Sequence, residues 1–136
     1  MLGRGVTYQN FAIGATVAWQ AAAGTTGCGL ILRATDDSRY TLAYIDQMGG
    51  YGLSQRTDDS FAPGIFGETA NFEAGSHHLL VIARRDILYY YVDGQYKGTL
   101  ENSAIDGMIG EAVVNFEPIS TSCTFTETWL WRWDEN

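Results

Sequence analysis

The chain of 136 residues has a formal net charge of −8, with 46 % hydrophobic and 18 % charged residues. This composition predicts a folded core, and the length fits one domain over residues 1–136. One lysine and seven arginines scattered along the sequence argue against nucleic acid or an anionic membrane as partner, because phosphate binding needs clustered cations. No apolar run reaches the roughly 18 residues of a membrane-spanning helix, so membrane insertion is not expected.

Alternation of apolar and polar residues dominates the first half of the chain and predicts strands joined by tight turns. The first strand, "NFAIGATVAWQA", places Phe11, Ile13, Ala15, Val17 and Trp19 on one face. The turns "AGTTG", "DDS" and "MGG" separate the next strands, "CGLILRA", "RYTLAYIDQ" and "YGLSQR". Residues 57–75, which contain a proline and several glycines, are predicted to form a long irregular loop of the kind that is often functional.

The second half continues the same pattern. The strands "HHLLVIARR" and "ILYYYV" flank a short turn, and Asp93-Gly94 is a strong hairpin signal before "QYKGTLE". The segments "MIGEAVVNFE" and "CTFTETWLWRW" complete a set of about nine to eleven strands, with no convincing amphipathic helix. So many short antiparallel strands predict an all-β fold, a two-sheet antiparallel β-sandwich or jelly roll.

Three consecutive tyrosines in one predicted strand cannot share one environment, since successive side chains point to opposite faces. Tyr90, together with Leu88 and Val92, forms the more apolar set and is predicted to lie in the core. Tyr89 and Tyr91 are predicted to point outward, where a flat ring can stack on the C–H face of a sugar.

Other aromatic and basic residues extend this candidate surface. Arg33 alternates with apolar neighbours and is predicted to point away from the core, while Tyr44 and Tyr51 lie on neighbouring strands. The candidate ligand-binding residues are therefore Tyr89, Tyr91, Arg33, Tyr44 and Tyr51. Exposed aromatics scattered over a sheet are also compatible with an ordinary surface.

The last predicted strand carries most of the tryptophans. One phase of the alternation contains Phe125, Trp129, Trp131 and Trp133. These side chains are predicted to fill the core, because burial of a large aromatic ring removes the most apolar surface from water. The opposite phase, which includes Leu130, is predicted to face solvent.

Motifs for catalysis are lacking. The chain has no G-x-S-x-G, no Cys/His pairing and no phosphate-binding loop. Glu111 and Glu117 are six residues apart on one strand, roughly 20 Å when extended, which is too far for a glycosidase pair. We therefore predict no catalytic residues.

Metal binding has two candidate positions. His77 and His78 are adjacent on a strand and point to opposite faces, so they cannot chelate one ion together. Four aspartates in predicted turns supply oxygen ligands suited to Ca²⁺, although aspartates in turns are common without any ion. They are Asp36, Asp37, Asp58 and Asp59. No other cofactor is expected.

Several motifs are similar to those of a known superfamily. The series "FAIGATVAW…CGLILRATDDSRYTLAYI…GGYGL" resembles the opening of concanavalin A-like jelly-roll domains, and "GSHHLLVIARRDILYYYVDGQYKG" resembles the middle of laminin-G-like members. The closing strand "CTFTETWLWRW" has Thr126 and Glu127 where the DUF1080-like branch has an Asp-Asn pair. The resemblance covers nearly the whole chain. It implies two curved sheets whose concave face and rim loops often bind glycans or proteins.

The same resemblance bears on catalysis and on the two cysteines. The sandwich-fold glucanases of this superfamily carry an E-x-D-x-x-E strand, which is absent here. The resemblance also implies that the last strand is the antiparallel neighbour of the first, which brings Cys123 near Cys28 and predicts a disulfide. Two reduced, buried cysteines are the alternative.

These observations together predict a non-catalytic recognition module, for carbohydrate, in a secreted or cell-surface setting. Because "MLGRGVTYQN" lacks the apolar stretch of a signal peptide, one interpretation is a module excised from a longer exported protein. The alternative is a structural or assembly domain that contacts other proteins. A glycoside hydrolase-like enzyme is the weakest alternative.

Overall fold

A computed structural model describes residues 10–19, 26–36, 39–46, 49–57, 60–61, 64–68, 75–101, 108–115 and 123–132. These residues form eleven β-strands. The strands are β1 (Phe11–Trp19), β2 (Thr26–Asp36), β3 (Arg39–Asp46), β4 (Gly50–Thr57), β5 (Ser60–Phe61), β6 (Ile65–Glu68), β7 (His77–Arg84), β8 (Ile87–Val92), β9 (Gln95–Leu100), β10 (Met108–Asn115) and β11 (Cys123–Arg132).

The strands build two antiparallel sheets. One is five-stranded, in the order β11-β1-β7-β8-β9, and the other is six-stranded, in the order β10-β2-β3-β4-β5 with β6 also paired to β4. Every strand pairing described is antiparallel. The predicted all-β, two-sheet antiparallel sandwich is confirmed, including the pairing of the last strand with the first.

The segment predicted as one long loop contains two short strands, so that prediction is wrong in part. Ile65 to Glu68 pair with β4 opposite Leu53 to Gly50, and Ser60 and Phe61 pair with the end of β4. Strands of two and four residues are too short for alternation to identify them.

The core lies between the sheets and follows the alternation of the sequence. On β1, Phe11, Ile13, Ala15 and Val17 are all fully buried, as predicted. The other buried hydrophobic side chains of this cluster are Cys28, Leu30, Leu32, Ala43, Ile45, Leu53, Leu79, Val81, Ala83, Leu88, Tyr90 and Val92. Each large aliphatic or aromatic side chain buried here contributes about 1.5–3 kcal/mol through removal of apolar surface from water.

Tyr90 crosses this core and connects the two sheets. It is fully buried, and its hydroxyl donates a hydrogen bond to the backbone carbonyl oxygen of Tyr44 at 2.7 Å. The ring of Tyr51 approaches it edge-on, with ring centroids 6.4 Å apart. Burial raises the pKa of Tyr90 well above its usual value of 10.0, so the buried hydroxyl stays protonated.

A disulfide joins the sheets at a second point. Cys28 of β2 and Cys123 of β11 are bonded, with their Cα atoms 5.8 Å apart. Cys123 lies opposite Trp19, at the end of β1, where the closing-strand resemblance placed it. The predicted disulfide is confirmed, and the alternative of two reduced cysteines is wrong.

We expect the disulfide to contribute about 4–5 kcal/mol to the free energy of unfolding, because it closes a long loop in the unfolded chain. The bridged cysteines are separated by 95 positions. Replacing both Cys28 and Cys123 by serine should lower stability by this amount in urea unfolding monitored by fluorescence. A reductant should have the same effect on the native chain and none on the double variant. Unchanged unfolding of a fully reduced chain would contradict this expectation.

Replacing Tyr90 by phenylalanine removes its hydrogen bond to the Tyr44 carbonyl oxygen and should cost about 0.5–1.5 kcal/mol in urea unfolding. The matched control is Tyr89→Phe, on the outward side of the same strand, which should change stability by no more than about 0.5 kcal/mol. Equal losses in the two variants would show that the hydrogen bond across the core is not what stabilises the sandwich.

The raised pKa of Tyr90 also makes stability depend on alkaline pH. Above about pH 10 the unfolded chain loses a proton that the folded chain retains, so this contribution is complete below that pH and is lost as pH rises. The free energy of unfolding should therefore fall less steeply with pH in Tyr90→Phe, by up to about 1.4 kcal/mol per pH unit. Identical slopes in both proteins between pH 10 and 12 would contradict the assignment.

Candidate functional site: an aromatic sheet face

The tryptophans of β11 point to solvent, which corrects the prediction that they fill the core. Trp129 lies opposite Gly14 and Trp131 opposite Ala12, on the outer face of the five-stranded sheet. They are 42 % and 71 % exposed. Phe125 has the predicted inward direction and packs against the core. Leu130, which was predicted to face solvent, lies opposite buried Ile13 and is 37 % exposed at the sheet edge. Trp133 lies outside the described residues.

A β-bulge explains the reversal. Thr126 pairs with Thr16 and Trp129 with Gly14, so Glu127 and Thr128 together oppose the single residue Ala15. Glu127 has a φ of 50°, a left-handed conformation typical of bulges. The extra residue shifts the alternation by one position, so every side chain beyond it changes face.

The outer face of the five-stranded sheet carries a continuous set of aromatic and apolar side chains. Pairing across the strands aligns Gly14, Leu80, Tyr91 and Tyr96 in one row and Ala12, Ile82 and Tyr89 in the next. We call the outward side chains the aromatic face; they are Leu80, Ile82, Tyr89, Tyr91, Tyr96, Trp129 and Trp131. Four strand spacings separate β11 from β9, so the face is about 19 Å wide.

Neighbouring groups hold these rings in place. The indole of Trp129 lies directly over Gly14, where a Cβ atom would be 2.6 Å from the indole Cε2 and Nε1. The rings of Tyr91 and Tyr96 are in contact, with centroids 5.5 Å apart and planes tilted by 57°. The Tyr96 hydroxyl is hydrogen-bonded to the Thr99 hydroxyl. Three of the five rings are therefore held by contacts with the strands or with each other.

A pocket of about 350 Å³ borders the aromatic face beside Tyr89. The other described residues of its lining are Arg84, Arg85, Asp86 and Ile87, at the turn between β7 and β8. The turn is tied to the start of β1, since the backbone N–H of Arg85 donates to Asn10 Oδ1 at 2.9 Å. Charged groups thus stand at one end of an otherwise apolar and aromatic surface.

Two of the predicted tyrosines lie away from this face. Tyr44 is on the outer face of the six-stranded sheet, with its ring over Gly52. Burial and the nearby carboxylate of Asp46 raise its pKa. Tyr51 packs against the core, and the ammonium of Lys97 lies 4.9 Å from its ring centroid. The predicted set therefore does not form one site: only Tyr89 and Tyr91 share a surface.

The predicted outward direction of Arg33 is wrong. Its side chain is only 1 % exposed, and its guanidinium Cζ lies 5.9 Å from the ring centroid of Phe11. The pairing of β2 with β3 shifts register between Leu32 and Asp36, and Arg33 has a φ of 50°. This irregularity breaks the alternation and turns the side chain inward, where the Phe11 ring offers a cation–π partner.

The histidines behave as predicted and bind separate partners. His77 Nδ1 lies 2.7 Å from Asp93 Oδ2, whereas His78 Nδ1 lies 3.3 Å from the Thr16 hydroxyl. Within the described part of the chain, no three His, Cys, Asp or Glu residues come together as a metal site. Asp36 is the last residue of β2, and its side chain is not among the parts that the structure describes. Asp37, Asp58 and Asp59 lie outside the described residues. Calcium binding at these aspartates therefore stays a prediction.

Solved structures share this architecture. A carbohydrate-binding module, CBM66 from Bacillus subtilis, matches with a TM-score of 0.77 and 16 % identity over 92 % of this chain and 76 % of that one. Sheep galectin-11 in complex with glycerol gives a TM-score of 0.62 and 8 % identity over 90 % of each chain. A Bacillus licheniformis β-glucanase gives a TM-score of 0.67 and 14 % identity over 94 % of this chain and 68 % of that one.

These similarities confirm the fold: the chain is a jelly-roll β-sandwich. Proteins of this architecture include both sugar-binding modules and enzymes. At sequence identities this low, the similarity shows the fold but not the function. No protein-family model matches the chain. No curated protein sequence matches it either.

The close approach of Gly14 and Trp129 predicts a specific effect of one methyl group. In Gly14→Ala the new Cβ would overlap the indole, so Trp129 should tilt away from the sheet and become more exposed. We expect a red shift of tryptophan emission and stronger quenching by iodide. The same glycine substitution in a Trp129→Phe background is the control, because it should then change neither signal. An equal change in that background would assign the effect to another tryptophan.

Proposed function

We propose that the chain is a non-catalytic carbohydrate-binding module that binds a glycan along the aromatic face. The observation that carries this proposal is the alignment of five tryptophan and tyrosine rings on one side of one sheet. Indole and phenol rings combine an apolar surface with a polar N–H or O–H group. A sugar presents the complementary combination, an apolar C–H face edged by hydroxyl groups.

The dimensions of the face favour a chain of several sugar units over a single one. Trp129 and Tyr96 stand on the outermost strands, four spacings or about 19 Å apart. Half-buried Tyr91 and Leu80 lie between them in the same row. The rings are held before the ligand arrives, so little conformational entropy is lost when it binds.

Several observations support the non-catalytic part of the proposal. Cleavage of a glycosidic bond needs two carboxyl groups about 5–10 Å apart. The E-x-D-x-x-E motif of the sandwich-fold glucanases is absent from the sequence. A carbohydrate-binding module and a galectin share the fold, and a GH43 protein from Bacillus licheniformis contains a similar fold in 28 % of its length.

We also propose an extracytoplasmic setting for the module, secreted or on a cell surface. Disulfides form and persist in oxidising compartments, and this chain holds one between its sheets. Among the residues that the structure describes, no helix is long and apolar enough to cross a bilayer.

An assembly function is the second candidate, and the edge of the five-stranded sheet favours it. Trp131 is 71 % exposed and lies on β11, an edge strand of its sheet. Exposed apolar patches and open strand edges are both features through which proteins associate. In this case another protein would cover the aromatic face.

Glycan binding can be tested by a glycan-array screen of the folded protein, with and without Ca²⁺, followed by calorimetric titration with the best ligand. We expect Trp131→Ala and Tyr91→Ala each to weaken binding roughly tenfold or more, as is common for aromatic residues at the centre of an interface. The matched control is Phe66→Ala, an aromatic that is 57 % exposed on β6 of the other sheet and should leave affinity unchanged.

The alternatives give different results in the same experiments. Concentration-dependent oligomers in sedimentation velocity that disappear in Trp131→Ala, with no glycan bound, would replace this proposal by the assembly function. Turnover of a bound glycan would show an enzyme. A requirement for Ca²⁺ would support the predicted ion at the aspartate turns.

A further inference from the structure

The irregularity of β2 at Arg33 forms part of a second pocket, at the end of the sandwich where β2 meets β3 and β4. The pocket measures about 280 Å³. Its lining includes Arg33, Arg39, Tyr40, Thr41, Gln55 and Arg56. It is lined by strands of the six-stranded sheet, so it is separate from the aromatic face.

Arginines are the charged residues described in the lining of this pocket. Three of the seven arginines of the chain line it, and among its described lining residues no other side chain is charged. Arg33, Arg39 and Arg56 also interact with other groups of the protein. Each guanidinium has five N–H donors, enough to bind such a group and a ligand together.

Local contacts fix part of this arrangement. Arg56 Nη1 donates to the Tyr40 hydroxyl at 3.0 Å, and Arg56 Cζ lies 5.7 Å from the Tyr40 ring centroid. Arg33 is held against Phe11 with its side chain 1 % exposed. Two of the three arginines are therefore oriented by aromatic rings, which lowers the entropy that they lose on binding a ligand.

A buried hydroxyl in the pocket points to a ligand with polar groups. Thr41 is 1 % exposed and lines the pocket, and its Oγ1 has no hydrogen-bond partner among the described residues. Buried polar groups in folded proteins are nearly always hydrogen-bonded, and a group without a partner calls for an explanation. A ligand that supplies a hydroxyl or carboxylate oxygen at this depth would satisfy it.

We propose that this pocket binds a single hexuronate unit, a sugar that carries a carboxylate. Planar guanidinium groups match a carboxylate in a bidentate geometry. The hydroxyl of Thr41 and the amide of Gln55 match the sugar hydroxyl groups. The volume is close to the lower limit of about 300 Å³ for small-molecule sites, which fits one sugar unit rather than a chain.

This inference rests on the proposed carbohydrate-binding function but uses a different part of the molecule, so the two can fail independently. The experiment is a titration of the isotope-labelled protein with galacturonate and glucuronate, followed by amide shifts in two-dimensional NMR. Galactose, the methyl ester of galacturonate and inorganic sulfate are the comparison ligands. We expect saturable shifts at residues 33–35, 39–41 and 55–57 with the two uronates, and much weaker ones with galactose and the ester.

Variants of exposed or half-exposed arginines test the assignment without disturbing the core. Arg39→Gln and Arg56→Gln should each weaken uronate binding roughly tenfold, as expected when a charge-assisted hydrogen bond is lost. Arg84→Gln, at an exposed arginine of the other sheet beside the aromatic face, should leave it unchanged. This control separates the pocket from the aromatic face.

Three results would overturn the proposal. Absence of saturable shifts with either uronate would show that the pocket does not take this ligand. Equal affinity for galactose would show that the carboxylate is not recognised. Equal affinity for sulfate would show a general anion site rather than a sugar site.

Discussion

The alternation of side chains along each strand is the constraint on which the rest of the structure depends. Once Leu88, Tyr90 and Val92 of β8 enter the core, Tyr89 and Tyr91 must face outward. The same rule governs β11, where one extra residue changes the outcome. The bulge at Glu127 leaves Phe125 in contact with the core and turns both following tryptophans to the outside. The aromatic face is thus the joint result of regular alternation on β1, β7 and β8 and of irregularities on β11 and β9, where the register shifts beside Tyr96.

Such a face needs a rigid support, and the connections between the sheets provide it. Tyr90 donates its hydrogen bond across the core from β8, the strand that carries the two outward tyrosines. Cys123 fixes the start of β11, the strand that carries the two outward tryptophans. Binding residues held on strands by such contacts keep their positions more accurately than residues on loops. The elements that stabilise the sandwich therefore also position the rings.

The sequence was sufficient for the fold class because its strands alternate clearly and its turns carry glycine and aspartate. It was also sufficient for the inward direction of Tyr90, since that residue shares its phase with Leu88 and Val92. It failed at Arg33 and at Trp129, because a bulge depends on pairing with a neighbouring strand and leaves no mark in the period of one strand. Arginines that are scattered in the sequence line one pocket for the same reason: β3 and β4 pair with Arg39 opposite Thr57 and Arg56 opposite Tyr40, at the same end of both strands, and the distortion of β2 adds Arg33.

The disulfide has a consequence for how the molecule responds to proteolysis. Its two cysteines lie 95 positions apart and enclose β3 to β10 and most of β2. A protease that cuts one peptide bond between them opens the chain but releases neither fragment, because the sulfur–sulfur bond still holds β11 to β2. The two rings on β11 and the two on β8 would then remain on one covalently connected body after the first cut.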